Sequence, residues 1–246
     1  MKRPDDPKPR APGGIAAVDR ACRVLQALER ASDGTRLTDL ARDTGLALAT
    51  LSRLLASLEH AGLARRGPDK RYALGPALLR LGNAYRRSLR IEPLVTPLLE
   101  ELAAATDDAA SFSVRDGAHR LCLFRVDSTL PLRESVAAGD RLPLGVGAPS
   151  RVLRAFTEAD PRDDDVRARG WAVSLGERVP ELAAVAAPVF GVTDGADAGL
   201  LGALSLSGLR SRFDGADLER RRALVVAAAQ RLSAALGAPA GTETRP

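Results

Sequence analysis

Arg53, Arg65, Arg66, Lys70 and Arg71 fall close together, and beside Arg53 stand the small or hydroxylated residues Ala49, Thr50, Ser52 and Ser57. These residue types suit a polyanion. Guanidinium and ammonium groups pair with phosphates, an arginine can fork onto the O6 and N7 of guanine, and small neighbours allow close approach to a groove. Thr38, just upstream, adds a hydroxyl at the expected start of a short helix. Charge is distributed to match. Through residue 90 there are 18 Lys+Arg against 9 Asp+Glu, a balance of +9, and the remainder carries 18 against 22, or −4. The positive potential that attracts nucleic acid therefore lies in the first third of the chain.

The chemistry of catalysis is missing by comparison. The sequence has no GxSxG elbow, no GxxxxGK[ST] loop and no HExxH pair, and only His60 and His119 are available as neutral-pH bases. His119 follows Asp116-Gly117-Ala118 in an expected turn, where a surface role is the default, and His60 is expected to be solvated. The run Asp163-Asp164-Asp165 has the composition of a cation site, but aspartates at a helix start usually solvate it and favour its dipole. No catalytic residue, metal or cofactor is expected.

The basic cluster needs elements to hold it. AVDRACRVLQALERA reads as a helix with apolar Ala17, Ala21, Val24, Leu25 and Leu28, capped by Asp19. LTDLARDTG gives a second, short helix with Thr38 as its cap and Gly45 as its stop. In the third, Leu51, Leu54, Leu55 and Leu58 form one buried stripe, leaving Ala49, Ser52, Arg53, Ala56, Ser57 and His60 on the opposite face. LARR and RYAL, joined by Gly67 to Lys70, then read as a hairpin with a basic tip. Helix, short helix, turn, longer helix and hairpin in this order make a winged helix-turn-helix, with the third helix offered to a groove and the hairpin to phosphates.

Downstream, GPALLRLGNAYRRSL is helical with Leu78, Leu81 and Leu89 among its apolar residues, and Glu92 to Thr106 is a further amphipathic helix. ASFSVR and RLCLFRV are expected to form a hairpin around Asp116 and Gly117. VRARG closes a helix before WAV, while AAVAAPVF and LLGALSLSG are apolar runs expected to pair centrally, followed by a last helix from Asp214 to about Leu236. The second part is thus an α+β domain with an antiparallel sheet. Ser205 and Ser207 alternate with Leu204 and Leu206, which places both serines on one strand face.

Eight segments, in order, give the chain a family resemblance: VDRACRVLQAL, LTDLARDTGL, TLSRLLASLEHAGL, RYALGPALLRLG, RLPLGVGAPSRVLRAF, RGWAVSLGE, VAAPVF and GALSLSG. With them the chain, over about Val18 to Gly237, resembles the IclR family of bacterial transcription regulators. The resemblance implies a DNA-binding amino-terminal domain, a linker helix and a GAF-like effector-binding domain, in a protein that pairs as a homodimer or a tetramer. The boundaries expected are a disordered tail at 1–14, the winged helix-turn-helix at 15–75, the linker helix at 76–91, the effector domain at 92–237 and a second tail at 238–246.

The resemblance also implies a ligand pocket at Gly147, Ala148, Arg151, Ala184, Ala186, Ser205 and Ser207, where hydroxyls and the N–H groups of a helix start would hold a small organic acid. Departures are evident. Ala47, Leu48 and Ala49 stand where the family usually has Pro, a basic residue and Ser or Thr, so base readout is expected to differ. Ser150 replaces a glycine, Gly145 a frequent histidine and Ala184 a frequent cysteine. Arg133 and Glu134 are read as a ligand clamp or an exposed pair, with exposure favoured. The partners expected are a double-stranded operator and a small effector; the alternative is a regulator of fixed activity whose second domain serves only to oligomerise. Cys22 and Cys122 lack a metal or disulfide pattern, and no apolar run marks a membrane span or signal segment, so a cytoplasmic protein is expected.

Overall fold

The computed structural model describes residues 14–31, 33–130, 136–158, 160–192 and 198–238. The chain divides after Ser88 into two compact units. Arg133, Glu134 and most of both expected tails lie outside the described residues.

The first unit holds α1 (Ala16–Glu29), α2 (Leu37–Thr44), α3 (Leu48–His60), the hairpin β1 (Ala64–Arg66) and β2 (Tyr72–Leu74), and α4 (Ala77–Ser88). Val24, Ala27 and Leu28 of α1, Leu40 of α2 and Leu51, Leu55 and Leu58 of α3 meet in one core that Ala64 and Tyr72 close from the hairpin. The i, i+3, i+4 and i+7 spacing on α3 accounts for its buried stripe. α2 stops at Gly45 with φ 67°, a left-handed cap that lets α3 begin three residues later. Thr35 exchanges backbone hydrogen bonds with Tyr72 at 2.9 and 2.8 Å, tying the α1–α2 connection to the hairpin.

Two expected caps are corrected. α1 begins at Ala16 with Ile15 in the cap position, so Asp19 sits inside the first turn, where it favours the helix dipole without accepting a capping bond. α2 begins after Arg36, which leaves Thr38 exposed as its second residue; the earlier start brings Leu37 against the core. Ala17 is exposed, and Leu54 only half-buried.

The second unit is a six-stranded antiparallel sheet of order β5-β4-β3-β8-β7-β6. Its elements are α5 (Glu92–Thr106), β3 (Ala109–Asp116), β4 (His119–Val126), β5 (Arg141–Pro143), α6 (Ala148–Ala155), α7 (Asp164–Arg169), β6 (Ala172–Leu175), β7 (Leu182–Val192), β8 (Ala198–Leu209) and α8 (Gly215–Ala235). The late strands β7 and β8 pair as expected. His119 is corrected from a turn to the first residue of β4, opposite Asp116.

Strand alternation gives the sheet two unlike faces. On one, Phe112, Phe124, Val185, Val189, Leu204 and Leu206 pack against Leu98, Leu99 and Leu102 of α5 and Val225, Ala229 and Leu232 of α8. On the other, Ala172, Ala186 and Ala203 pack against Val152, Leu153 and Ala155 of α6. Large side chains fill the first face. The second carries alanines and serines, so the helix above it cannot fill all the space, and the pocket forms there.

Candidate functional site

In the first unit the structure places Ala49, Ser52, Arg53 and Ser57 on the exposed face of α3, while Thr50 is half-buried. Ser57 Oγ donates back to Arg53 O at 3.2 Å, so its hydroxyl is partly committed. Arg65 and Arg66 are exposed on β1, with the Arg66 guanidinium 5.4 Å from the Tyr72 ring centre. Lys70 is exposed in the turn at φ 62°, where Gly67 N donates to Arg71 O at 2.8 Å. Arg71 itself is half-buried. Its guanidinium donates to Gly34 O at 3.1 Å and pairs with Asp69 at 3.3 Å, which gives it a structural job in holding the hairpin.

In the second unit the cross-strand register sets Ser205 opposite Ser111 on β3 and Ala186 on β7, and Ser207 opposite Ala109 and Ala184; Ser174 of β6 stands opposite Ala184. The result is a patch of hydroxyls and methyl groups across four strands. Ser111 Oγ and Ser205 Oγ are 3.0 Å apart, within hydrogen-bond reach, and the four serines are at most 7% exposed.

A cavity opens on this patch, walled by Ser111, Arg120, Ser174, Ser205 and Ser207 from the sheet, Gly147 and Pro149 from the start of α6, and Glu177 to Val179 and Leu182 to Ala184 around the β6–β7 turn. It is narrow. The centre of a water-sized sphere has about 30 Å³ available, room for about two waters. Of the sequence-derived residues, Gly147, Ala184, Ser205 and Ser207 come together here. Ala186 is instead sealed under α6, Ala148 lies wholly buried behind the wall, and Arg151 pairs with Asp165 at 3.1 Å and Val173 O at 3.3 Å, away from the cavity lining.

Among the lining residues not anticipated are Ser111, Arg120, Pro149, Ser174 and Glu177. Ser111 and Ser174 depend on which strands become neighbours, which no local pattern reveals. Arg120 had a signal: a charge immediately before the apolar run LCLF, whose Cys122, Leu123 and Phe124 are all buried.

The rim of the cavity is held by charge. Gly147, at φ 92°, adopts a backbone that side chains rarely accept, and it turns the chain into α6. Its N–H donates to Glu177 Oε2 at 3.0 Å, and Ala148 N donates to Ser174 Oγ at 3.1 Å. Arg154, about two turns on, donates to Leu144 O at 3.0 Å and Gly145 O at 3.2 Å, fixing the loop that enters the rim. It also forks onto Asp163, which has no exposed surface and holds the Arg154 guanidinium above its ordinary pKa. Asp163 thus departs from the expected solvated triplet: it is a buried anchor, while Asp164 and Asp165 stay in solvent.

Asp108, just before β3, is also wholly buried. It lies 2.6 Å from Arg221 and 3.2 Å from Arg212, yet burial pushes its carboxyl above the usual value against the pull of both arginines. Arg212 and Arg220 donate to carbonyls of Asp107, Thr106 and Ala105 at the end of α5, where cations oppose the helix dipole.

Both units match known proteins. Residues 17–68 match the IclR helix-turn-helix domain, and residues 83–165 and 162–234 match the bacterial transcriptional regulator IclR C-terminal domain. The chain belongs to the IclR family. The transcriptional regulator BhcR of Paracoccus denitrificans is 30% identical over 248 residues, covering 90% of this chain and 87% of that one. A solved IclR regulator from Silicibacter sp. TM1040 superposes with a TM-score of 0.78 at 23% identity, over 94% of this chain and 100% of that one. An IclR homolog from Microbacterium hydrocarbonoxydans, solved in complex with 4-hydroxybenzoate, superposes with a TM-score of 0.76 at 18% identity, over 90% and 99%. As an IclR-family member the chain is a DNA-binding transcription regulator and not an enzyme. None of its described helices is long and apolar enough to cross a membrane.

Proposed function

We propose that this regulator is ligand-responsive: a small organic acid occupies the cavity under α6 and changes the affinity of the first unit for an operator. One observation supports this most, the gathering of four buried serines and an arginine around a cavity. Buried polar groups are costly, and a patch of them around open space fits a ligand better than it fits packing. The 4-hydroxybenzoate bound by the Microbacterium homolog supports the same reading.

In this reading Arg53, with Ala49, Thr50, Ser52 and Ser57, meets base edges in the major groove, while Thr38, Arg65, Arg66, Lys70 and Arg71 meet phosphates. Two copies, or a pair of pairs, engage the two half-sites of a palindromic operator. A ligand shifts affinity only as far as it prefers one arrangement, and such couplings are typically about 1–3 kcal/mol. The narrowness of the cavity favours a second reading, fixed activity with the second unit serving only to oligomerise.

Binding of the purified protein to the DNA upstream of its own gene, with neighbouring-pathway metabolites added in turn, separates the two. Specific binding altered by one metabolite supports the ligand-responsive reading, and Ser207→Leu is then expected to abolish the response while sparing affinity in its absence. Specific binding that no metabolite alters supports fixed activity.

A further inference from the structure

The start of α3 is apolar where local stability gives no reason for it. Ala47, Leu48 and Ala49 are consecutive exposed residues, and Leu48, 50% exposed, lies outside the core that takes Leu46, Leu51 and Leu54. Ala47 occupies the cap position and makes no side-chain bond there, although Ser, Thr, Asp or Asn would hold the first N–H groups. A single exposed leucine is ordinary, but consecutive apolar residues facing solvent are a liability unless they meet something. The next turn of the helix indicates what. Leu48 and Ser52, and likewise Ala49 and Arg53, are spaced i, i+4 and are neighbours on the helix surface. Among the described residues no carboxylate pairs with the Arg53 guanidinium, whereas Arg42 pairs with Asp39 and Arg71 with Asp69. No acid stands in the first turn of α3 to repel a phosphate.

Resting on the reading that α3 enters the major groove, we propose that Leu48 is a specificity-determining residue and that, with Ala49, it reads the 5-methyl group of a pyrimidine close to the guanine met by Arg53. The 5-methyl of thymine is the apolar group that the major groove displays, and apolar side chains are its partners. Leucine neither donates nor accepts a hydrogen bond, so it tells a methyl from a hydrogen and leaves O4 and N4 unread. Ser52, its exposed neighbour, carries a hydroxyl that both donates and accepts, and so tolerates the O4 of thymine as well as the N4 amine of cytosine. The chemistry recognised is therefore a 5-methylpyrimidine, either thymine or 5-methylcytosine, and methylation of cytosine at this position turns a poor half-site into a good one. Spacing sets its place. From Leu48 to Arg53 the helix rises about 7.5 Å, a span of about two base-pair steps.

The test enriches an operator from a pool of randomised duplexes with the full chain, then remakes the enriched half-site with thymine, uracil, cytosine or 5-methylcytosine at each pyrimidine in turn for gel-shift titration. The expected result is one position, within about two base pairs of a guanine that Arg53→Ala ceases to select, with a graded response to the base placed there. Uracil or cytosine weakens binding roughly fourfold per half-site, for want of one buried methyl, and 5-methylcytosine restores it. Leu48→Ala, an exposed change to a better helix former, is expected to fold and to bind thymine and uracil equally at that position. The thymine-to-uracil ratio is read on the unaltered protein, so it stands whether or not the variant folds. Uracil that binds as well as thymine at every position overturns the methyl contact. Thymine accepted with 5-methylcytosine rejected overturns a reading through the methyl alone. A uracil penalty that persists in folded Leu48→Ala overturns the role of Leu48. In each of these cases an enriched sequence whose guanine preference depends on Arg53 keeps α3 in the groove. No enrichment, or an enriched sequence that Arg53→Ala reads unchanged, removes the groove reading and this inference with it.

Discussion

Asp163 lies completely buried beneath Arg154, whose guanidinium forks onto its carboxylate while also donating to Leu144 O and Gly145 O. One charged pair therefore joins the turn before α7 to the loop that forms the cavity rim. Asp163→Asn is expected to lower unfolding free energy by about 3–5 kcal/mol, because it strands a mostly buried guanidinium. Asp165→Asn, at a half-exposed carboxylate on Arg151, is expected to cost less than about 1 kcal/mol. Urea unfolding of both variants measures the contrast.

Arg53→Ala is expected to weaken specific operator binding by about 1–3 kcal/mol with the fold unchanged, since Arg53 is exposed on α3 and makes no core contact. Arg65→Ala is expected to weaken all DNA about equally and to reduce the salt slope by about 1. Gel-shift titrations at several salt concentrations, with operator and unrelated DNA, separate base contacts from phosphate contacts.

Gly75→Ala is expected to destabilise the first unit by about 1–3 kcal/mol. A methyl group there would overlap Gly62 O and stand 2.9 Å from Ala64 N, both backbone atoms that cannot rotate away. Gly82→Ala in α4, where an added methyl meets nothing within 4 Å, is the control and is expected to be neutral or slightly stabilising. Thermal melts of the two variants decide it.

On the acid limb, Arg162 hydrogen-bonds Asp160 and lowers its pKa to about 2 from the ordinary 3.8. A carboxylate depressed on folding stabilises the folded chain above 3.8, and that contribution is lost as pH falls through about 2. Asp108 has the opposite sign: its raised pKa means the folded chain holds that proton more tightly, so its contribution diminishes as pH rises above 3.8. Asp160→Asn is expected to flatten the loss of stability on acidification, measured as urea midpoints on either side of pH 3.8.

Much of the first unit could be read from sequence because its signals are local. The Leu51, Leu55 and Leu58 stripe, Gly45 and the Gly67–Lys70 turn each act within a few residues. The cap positions were less legible, since Arg36 rather than Thr38 precedes α2 where Leu37 must reach the core. In the second unit Ser205 and Ser207 announced a polar strand face, and the structure buries it. Ser111 and Ser174 reach that face only through pairings between distant strands, and Asp163 looked solvated because its partner, Arg154, sits on a separate helix.

The turn that presents Lys70 has a practical consequence. The sequence contains only three lysines, Lys2, Lys8 and Lys70, so among the described residues the hairpin tip carries the sole side-chain amine. An amine-reactive dye can therefore be directed to the exposed end of the hairpin without introducing a mutation, once the amino-terminal segment is trimmed or blocked. Its fluorescence would report in real time whether that tip approaches DNA, and whether a ligand in the other unit withdraws it.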